Sequence, residues 1–296
     1  MCGIVGLFLK DRALAPELGR HLSDMLVTMT DRGPDSAGIA VYGSREPDHV
    51  KLTVQSPDPE RDFDAVESGL ADLDAGASLT RRSTHAVLGV PPRSLEAVQG
   101  WLAEQPTIRV ISSGSSMEIY KEVGLPADVV SRFDIGGMSG THGIGHTRMA
   151  TESAVTTLGA HPFPTGLDQC LVHNGSLSNH NNVRRRLMHE GLRFETENDS
   201  EVAAAYLTWR MSSGMSLGDA LTAALDDLDG FYTFVVGTES GFGVLRDPIA
   251  CKPAVMAETD RYVAFGSEYR ALVDLPDIGA ARVWEPEPAM VYFWEH

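Results

Sequence analysis

Cys2 carries the side chain best placed for nucleophilic chemistry in this sequence. It follows the initiator methionine and opens a short apolar run, residues 4–9, that predicts a buried strand. Cysteine is small enough for the usual removal of that methionine, which would leave the thiol beside a free α-amine. Reference pKa values of about 8 for the amine and about 8.5 for the thiol are nearly matched, so one residue could supply both nucleophile and base. The alternative is a small buried residue at a strand start, and only partner residues elsewhere can decide between the two.

Four polar segments further along the chain contain residue types that could serve such a nucleophile. They are Arg32-Gly33-Pro34-Asp35-Ser36-Ala37-Gly38, Gly145-His146-Thr147-Arg148-Met149-Ala150-Thr151, His173-Asn174-Gly175 and Asn198-Asp199-Ser200-Glu201. Each also has an ordinary structural explanation: the first is a turn with a surface arginine, Asn-Gly is a common turn signal, and the last is a helix-capping pattern.

His142 and His146 are the pair of histidines whose spacing is closest to that of a metal site. They are four residues apart on a predicted strand, which puts them on one face roughly 13 Å apart. That distance is too long for one shared ion, so we predict no zinc site.

The elements around these segments alternate between helices and strands. Apolar residues at helical spacing predict a helix over about residues 16–30, ended by the breakers at residues 31–35. A helix that Ser178 could cap and one that Asn198 could cap are predicted next, followed by six short strands between residues 231 and 294. Helices clustered mid-chain with strands at both ends indicate an α+β fold.

Residues 57–106 have a pattern of their own. Two groups of apolar residues have helical spacing: Phe63, Val66 and Leu70, and then Leu95, Val98 and Leu102. With the strands around and between them, they predict a small two-layer α/β subdomain. It has no cluster at metal-ligand spacing, so we expect an interaction or regulatory surface. The chain is thus divided into 2–56 with 107–296, and an inserted subdomain, 57–106.

Composition and charge exclude several classes of function. Of the 296 residues, 43% are hydrophobic and 22% charged, as in soluble globular proteins. The net charge of −17 argues against nucleic-acid binding and against an anionic membrane surface. No apolar stretch approaches the roughly 20 residues of a membrane span. The start of the chain lacks signal-peptide features, and the three cysteines, Cys2, Cys170 and Cys251, suit a reducing compartment. We therefore expect a cytoplasmic protein.

Taken together and in this order, the Cys2-Gly3-Ile4-Val5-Gly6 start and the four polar segments resemble the class II glutamine amidotransferases, a branch of the N-terminal-nucleophile hydrolases. Two weaker matches are Arg246-Asp247-Pro248 and Gly266-Ser267-Glu268. The resemblance covers the chain except for the 57–106 insertion. It implies a four-layer αββα sandwich, L-glutamine as substrate, and a γ-glutamyl thioester on Cys2 that releases ammonia and is then hydrolysed to glutamate.

The resemblance also implies which residues hold the glutamine. Arg148 matches the residue that grips the substrate carboxylate, as a guanidinium does through two parallel hydrogen bonds. Asp199 matches the residue that holds the ammonium group. Thr151 and Gly175 match further substrate contacts. For Asp199, the alternative interpretation, an acid favoured in the first turn of a helix, is compatible with this role.

Two further pairs of residues match the catalytic machinery of the family. The side-chain amide of Asn174 and the backbone N–H of Gly175 match its oxyanion hole, in which each donor is worth about 3 kcal/mol in comparable sites. Arg32 and Gly33 match the loop that shapes the site near the N-terminus. The resemblance thus predicts Cys2, Asn174 and Gly175 as the catalytic group, with no metal.

The sequence departs from the family pattern in three places. Met149 stands where some members have an aromatic residue, and Glu152-Ser153 where some have His-Gly. Glu152 adds negative charge beside the expected position of the glutamine carboxylate, which bears on affinity and on substrate identity. If Met1 were retained, it would block the α-amine of Cys2.

The acceptor of the ammonia is expected on another polypeptide. The format resembles the amidotransferase subunit of glutamate-synthase-like enzymes such as N-methylglutamate synthase, so we expect a hetero-oligomer with separate synthase subunits. In such assemblies FMN and an iron–sulfur cluster belong to the partners, and three cysteines cannot build a four-thiolate cluster here. Two alternatives stay open: a catalytically silent binding or regulatory subunit of that complex, and a hydrolase of another γ-glutamyl amide.

Overall fold

The structure is a computed structural model that describes residues 2–73, 75–150 and 154–296. The helices in these ranges are α1 (Leu18–Thr28), α2 (Pro59–Asp72), α3 (Leu95–Ala103), α4 (Pro126–Arg132), α5 (His180–His189), α6 (Asp199–Ser212) and α7 (Leu217–Asp227). The strands are β1 (Gly3–Leu9), β2 (Ser36–Tyr42), β3 (Val50–Gln55), β4 (Ser78–Arg82), β5 (His85–Val90), β6 (Arg109–Gly114), β7 (Met117–Val123), β8 (His142–Arg148), β9 (Phe163–Gly166), β10 (Gln169–Leu177), β11 (Gly230–Gly237), β12 (Gly241–Arg246), β13 (Val255–Glu258), β14 (Tyr262–Gly266), β15 (Arg282–Trp284) and β16 (Val291–Glu295).

Two antiparallel sheets packed face to face form the centre of the molecule. One has seven strands in the order β15-β13-β14-β1-β8-β2-β7, and the other has five in the order β16-β12-β11-β10-β9. A cluster of buried side chains joins them, in which Ile4 and Phe8 of β1 pack with Val172 of β10 and Val235 of β11. Because successive side chains of a strand point to opposite faces, Val5 and Leu7 lie on the other face of the sheet and must be covered by something else.

Helices cover the outer face of each sheet. Val5 and Leu7 of β1 pack with Leu22 and Leu26 of α1 on one side of the molecule. On the other side, the outward residues of β10 and β11 pack against α5, α6 and α7. The result is a helix–sheet–sheet–helix stack, which confirms the predicted α+β, αββα sandwich.

A third sheet, with the strand order β4-β5-β3-β6, forms a smaller unit of its own. Its paired strands are antiparallel and its chain order is β3-α2-β4-β5-α3-β6, which is the split βαβ motif. The two outer parts of this sequence, β3 and β6, lie outside the predicted limits 57–106. The strand β4 was not predicted, because its residues are exposed or half-buried and show no apolar alternation. The division of the chain into two domains stays a prediction.

The small sheet is fastened to the central sandwich through β7 and through Phe133, which follows α4. The ring of His85 lies edge-on to that of Phe133, with ring centroids 4.8 Å apart. Lys51 Nζ donates to Glu118 Oε1 at 2.8 Å. The face of this sheet that α2 and α3 leave uncovered is thus packed on the central sandwich.

Two predicted helix starts have different outcomes. Asn198 caps α6, because its side chain accepts a hydrogen bond from the backbone N–H of Ser200 at 3.0 Å. The cap predicted at Ser178 is wrong: α5 begins at His180, after Asn179. Among the helices of the described ranges, none has the length and apolar content needed to cross a bilayer.

We expect the contact between α1 and the seven-stranded sheet to be a major source of stability. Replacing Leu26 with alanine empties a fully buried site and should lower the free energy of unfolding by about 2–5 kcal/mol. Urea denaturation measures this. The neighbouring Val27→Ala is the matched control, because Val27 is 37% exposed and its truncation should cost less than about 1 kcal/mol. Equal losses in the two variants would contradict the predicted packing.

Candidate active site

A cavity of about 740 Å³ lies at one end of the two central sheets, and most of the predicted site residues meet there. Its lining includes Cys2, Arg148, Gly175 and Asp199. Asn174 touches the same place, because its Nδ2 donates to the carbonyl oxygen of Cys2 at 3.1 Å. These residues come from the N-terminus, the end of β8, the end of β10 and the start of α6. Thr151 and Glu152 lie outside the described residues.

The register of β1 brings Cys2 beside Arg148. β1 pairs on one side with β8, where Gly3 is opposite Thr147, and on the other with β14, where Val5 is opposite Gly266. Cys2, one residue before Gly3, is therefore next to Arg148, the last residue of β8. A slip of one residue would turn Cys2 to the other face of the sheet.

Side chains from two loops fix the backbone of the first residues. Arg32 Nε donates to the carbonyl oxygen of Cys2 at 2.9 Å. Ile4 and Ser267 exchange two hydrogen bonds of 2.9 Å, one from each backbone N–H. Glu268 accepts a hydrogen bond from Arg32 Nη1 at 2.5 Å, and this bond holds the pKa of Glu268 below its usual value. The Gly266-Ser267-Glu268 segment, a weak match in the sequence, thus anchors the N-terminus.

Gly33 and Gly175 occupy positions where a side chain would collide with backbone. A Cβ on Gly33 would lie 2.5–2.6 Å from the backbone of Thr147 and Arg148. Gly175 has a φ of +152°, and a Cβ there would lie 2.0 Å from the carbonyl oxygen of Phe231. Both glycines therefore let their segments pack against the neighbouring backbone more closely than other residues could.

The amide of Asn174 and the carboxylate of Asp199 are each partly engaged within the chain. The side-chain nitrogen of Asn174 carries two hydrogens, of which the bond to Cys2 uses one. Oδ2 of Asp199 accepts from the backbone N–H of Leu177 at 2.9 Å, while Oδ1 lies 3.8 Å from His173 Nδ1. The side chain of Asp199 keeps about a fifth of its surface exposed. It lies in the first turn of α6, where the helix dipole favours an acidic residue.

Three buried histidines, His146, His161 and His173, lie beneath the cavity. His161 and His173 line it. His146 Nε2 donates to the backbone carbonyl of His173 at 2.9 Å, and its ring stacks on that of His161 with centroids 3.9 Å apart. Burial lowers the pKa of all three, that of His146 to about 3, so they are neutral near pH 7.

Two of these histidines, His146 and His173, lie in sequence segments that match the family, whereas His161 does not. They lie next to Arg148 and Asn174, but no role was inferred for them. His161 lies in a loop whose pattern indicates nothing. Within residues 2–73, 75–150 and 154–296, no group of three His, Cys, Asp or Glu side chains is arranged to hold a metal ion.

Two polar contacts hold the chain on either side of residues 151–153. Asp35 Oδ2 accepts from the backbone N–H of Ala150 at 2.8 Å. Arg148 Nη1 donates to the carbonyl oxygen of Ala154 at 3.1 Å. The Arg32-to-Gly38 segment therefore supports the cavity from below, and Arg148 both lines the cavity and ties down its wall.

Residues 146–274 match the family model described as a glutamine amidotransferase domain. Over its whole length the chain is 69% identical to the glutamine amidotransferase-like protein GlxB of Rhizobium meliloti, with 99% of that protein covered. It is 32% identical to a putative glutamine amidotransferase of Methanothermobacter thermautotrophicus, with 99% of each chain covered. The chain belongs to the glutamine amidotransferase family.

The fold of this chain is also similar to that of a longer amidotransferase of known structure. It superposes on the glutamine phosphoribosylpyrophosphate amidotransferase of B. subtilis with a TM-score of 0.64 and 19% identity. That alignment covers 99% of this chain and 47% of the other. This amidotransferase therefore spans about half the length of that structural relative, and the likeness shows the fold alone.

The Arg32–Glu268 pair gives a test of how the N-terminus is held. Replacing Glu268 with glutamine leaves the buried guanidinium of Arg32 without its charge partner and should lower the free energy of unfolding by about 1–3 kcal/mol. The matched control is Glu258→Gln, which breaks the peripheral Lys10–Glu258 pair and should cost less than about 1 kcal/mol. Urea denaturation at pH 7 measures both.

The same pair predicts a pH dependence. The pKa of Glu268 is lowered in the folded state, so its contribution is present above its unfolded pKa, about 4.3, and is lost as the pH falls through the lower folded value. The difference in stability between wild type and Glu268→Gln should therefore shrink below about pH 4. A difference that stays constant down to pH 3 would contradict the role of this carboxylate.

Proposed function

We propose that this chain is a glutaminase subunit that hydrolyses the side-chain amide of L-glutamine through a thioester on Cys2. The observation that carries the proposal is the convergence of Cys2, Arg148, Gly175 and Asp199 on one cavity, with Asn174 bonded to the backbone of Cys2. Cys2 would supply the nucleophile, and Asn174 and Gly175 the donors to the oxyanion. Arg148 would bind the carboxylate of the substrate and Asp199 its ammonium group.

Arg148 and Asp199 suit the two charged ends of an amino acid. The guanidinium of Arg148 would bind the α-carboxylate bidentately, and the carboxylate of Asp199 would accept from the α-ammonium. Thr151 is proposed as a further contact. Both charged residues come from rigid elements, the end of β8 and the first turn of α6, so the site is built before the substrate enters and little ordering is needed on binding.

The reaction that follows uses the chain's own groups. The α-amine of Cys2, freed by methionine removal, takes the thiol proton, and the sulfur attacks the amide carbon so that a C–S bond forms. The oxyanion of the tetrahedral intermediate is held by the side-chain amide of Asn174 and the backbone N–H of Gly175. The C–N bond then breaks, and the nitrogen leaves as ammonia with the proton returned by the α-amine. Water hydrolyses the thioester to glutamate. Arg32 and Gly33 keep the N-terminus at the cavity.

We further propose that the ammonia passes to a separate synthase subunit in a hetero-oligomer of the N-methylglutamate synthase type. The superposition on about half of a longer amidotransferase supports a division of labour between this chain and a second unit. In the assemblies that the sequence resembles, FMN and an iron–sulfur cluster belong to partner subunits, and we propose the same here. The reducing compartment indicated by the cysteines supports a cytoplasmic location.

Replacing Cys2 with alanine should abolish glutamate release from glutamine, a loss of more than about a thousandfold, because the thioester cannot form. In the assembled complex, activity with ammonia or an amine in place of glutamine should persist. The matched control is Cys251→Ala, since Cys251 is an exposed thiol outside the cavity and its loss should change neither activity. Coupled assays for glutamate and for the amidated product measure both.

Intact mass of the purified protein, with and without 6-diazo-5-oxo-L-norleucine, completes the test. We expect a mass that lacks Met1 and a single adduct on Cys2. An adduct with no glutamate release by the complex would instead support a silent binding subunit. Hydrolysis of other γ-glutamyl amides in preference to glutamine would support a different amidase, and an unlabelled Cys2 would overturn the proposal.

A further inference from the structure

One side of the cavity is formed by a loop, residues 154–162, that we call the wall loop. Five of its residues line the cavity: Ala154, Thr156, Leu158, Gly159 and His161. Apart from two turns closed by its own threonines, it contains no regular structure. A loop without a ladder of backbone hydrogen bonds must take its shape from side chains outside it.

Lys121, in β7, lies beneath this loop with its ammonium group fully enclosed by protein. Nζ donates to three backbone carbonyls, those of Ala160 at 2.8 Å and of Leu158 and Pro162 at 3.2 Å. It also lies 4.7 Å from the ring centroid of Phe163. An ammonium group has three N–H donors, so the three carbonyls of alternate residues use all of them.

Lys121 is a buried lysine whose ammonium group is bound by the wall loop. Only 3% of its surface is exposed, and its hydrogen bonds go to carbonyl oxygens of the loop. Burying an ammonium group is costly unless its donors are satisfied. The three carbonyls that satisfy its donors flank Gly159 and His161, which line the cavity.

We propose that Lys121 is a positioning residue for the glutamine reaction, whose ammonium group holds the wall loop in the shape that forms one side of the substrate cavity. The inference rests on the proposed function for its substrate, but the restraint on the loop does not depend on it. Lys121 touches neither Cys2 nor the charged clamp formed by Arg148 and Asp199. It therefore acts on binding through the loop.

Other contacts hold other residues of the wall loop, whereas the carbonyls of Leu158, Ala160 and Pro162 are held by Lys121. Glu122 accepts a hydrogen bond from Thr157, Asn198 Nδ2 donates to the carbonyl oxygen of Gly159 at 3.2 Å, and Arg148 holds Ala154. Gly38 lets the loop lie directly on β2, because a Cβ there would be 2.1 Å from the carbonyl oxygen of His161. Loss of Lys121 should thus loosen residues 158–162 and leave 154–157 attached.

The restraint also depends on protonation. Burial lowers the pKa of Lys121 to about 8, and the carboxylates of Glu195 and Glu201 oppose that shift. The other titratable groups that face it are Cys170, His161 and His85. A neutral amine keeps two N–H donors for three carbonyls and loses the charge that strengthens them. An opening of the loop that exposes Lys121 to water would nevertheless restore a pKa of about 10.4, so above about pH 8 opening takes up a proton and becomes less favourable as the pH rises.

The test replaces Lys121 with methionine, which keeps the length of the side chain and removes the charge and donors. We expect the KM for glutamine to rise about tenfold or more while kcat changes less than about threefold, because the catalytic groups are untouched. Hydrogen exchange, read by mass spectrometry, should become faster at the backbone amides of residues 158–161. The matched control is Lys51→Met, since Lys51 is a buried lysine paired with Glu118 away from the cavity, and it should leave KM and loop exchange unchanged.

A second measurement varies the pH. In the wild type, exchange protection of residues 158–161, corrected for the intrinsic effect of pH, should not fall between pH 7 and 9, and in Lys121→Met it should be lower than in the wild type throughout that range. Unchanged loop exchange in Lys121→Met, or a loss of kcat equal to the rise in KM, would overturn the positioning role. If the wild type itself released no glutamate, the proposed function would fail, and the exchange data would still decide whether Lys121 holds the loop.

Discussion

The pairing of β1 between β8 and β14 is the constraint on which the rest of the site depends. Cys2 lies at the end of this strand, so its position is set by the register of the central strand of the large sheet and not by a flexible terminus. Arg32, Ser267 and Glu268 then fix the backbone at its first residues through hydrogen bonds from both neighbouring loops. If Cys2 is the nucleophile that we propose, its orientation is set before a substrate binds, and this lowers the entropy cost of reaction.

Burial decides the electrostatics around the cavity. Among the described residues, the charged side chains that line it are those of Arg148, Asp199, Glu195 and Glu197. The three histidines beneath it are neutral near pH 7 because desolvation disfavours their charged forms. The buried ammonium of Lys121 is the exception, and its three carbonyl partners explain how the fold tolerates it.

The small unit formed by β3 to β6 contributes none of its described residues to the lining of the cavity. Its four-stranded sheet is covered by α2 and α3 on one face and by the central sandwich on the other. Strand β4 forms the outer edge of that sheet and carries two arginines, Arg81 and Arg82. Charged residues on an edge discourage unwanted pairing with other strands, which suits a sheet whose edge strand β4 is exposed.

Local chemistry was enough to predict much of the fold. Apolar periodicity placed α1 and the six C-terminal strands, because helix and strand patterns are properties of a short window of sequence. It also indicated the inserted α/β unit, but missed β4, whose exposed residues lack alternation, and gave limits that exclude β3 and β6. The cap at Asn198 was predicted correctly, while that at Ser178 was not, because the side chain of Asn179 is bonded to residues 227 and 229 of a distant turn.

For the site, the sequence by itself supplied the chemical types and their order, with Cys2, Arg148, Asn174, Gly175 and Asp199 named from matched segments. Only the tertiary structure decided that these residues share a cavity, because the contacts join positions more than a hundred residues apart through sheet register. The same holds for His161 and Lys121, which no pattern singled out. The roles inferred for them depend on burial and on contacts with backbone carbonyls of a folded loop. The residues next to them in the sequence determine neither the burial nor the contacts.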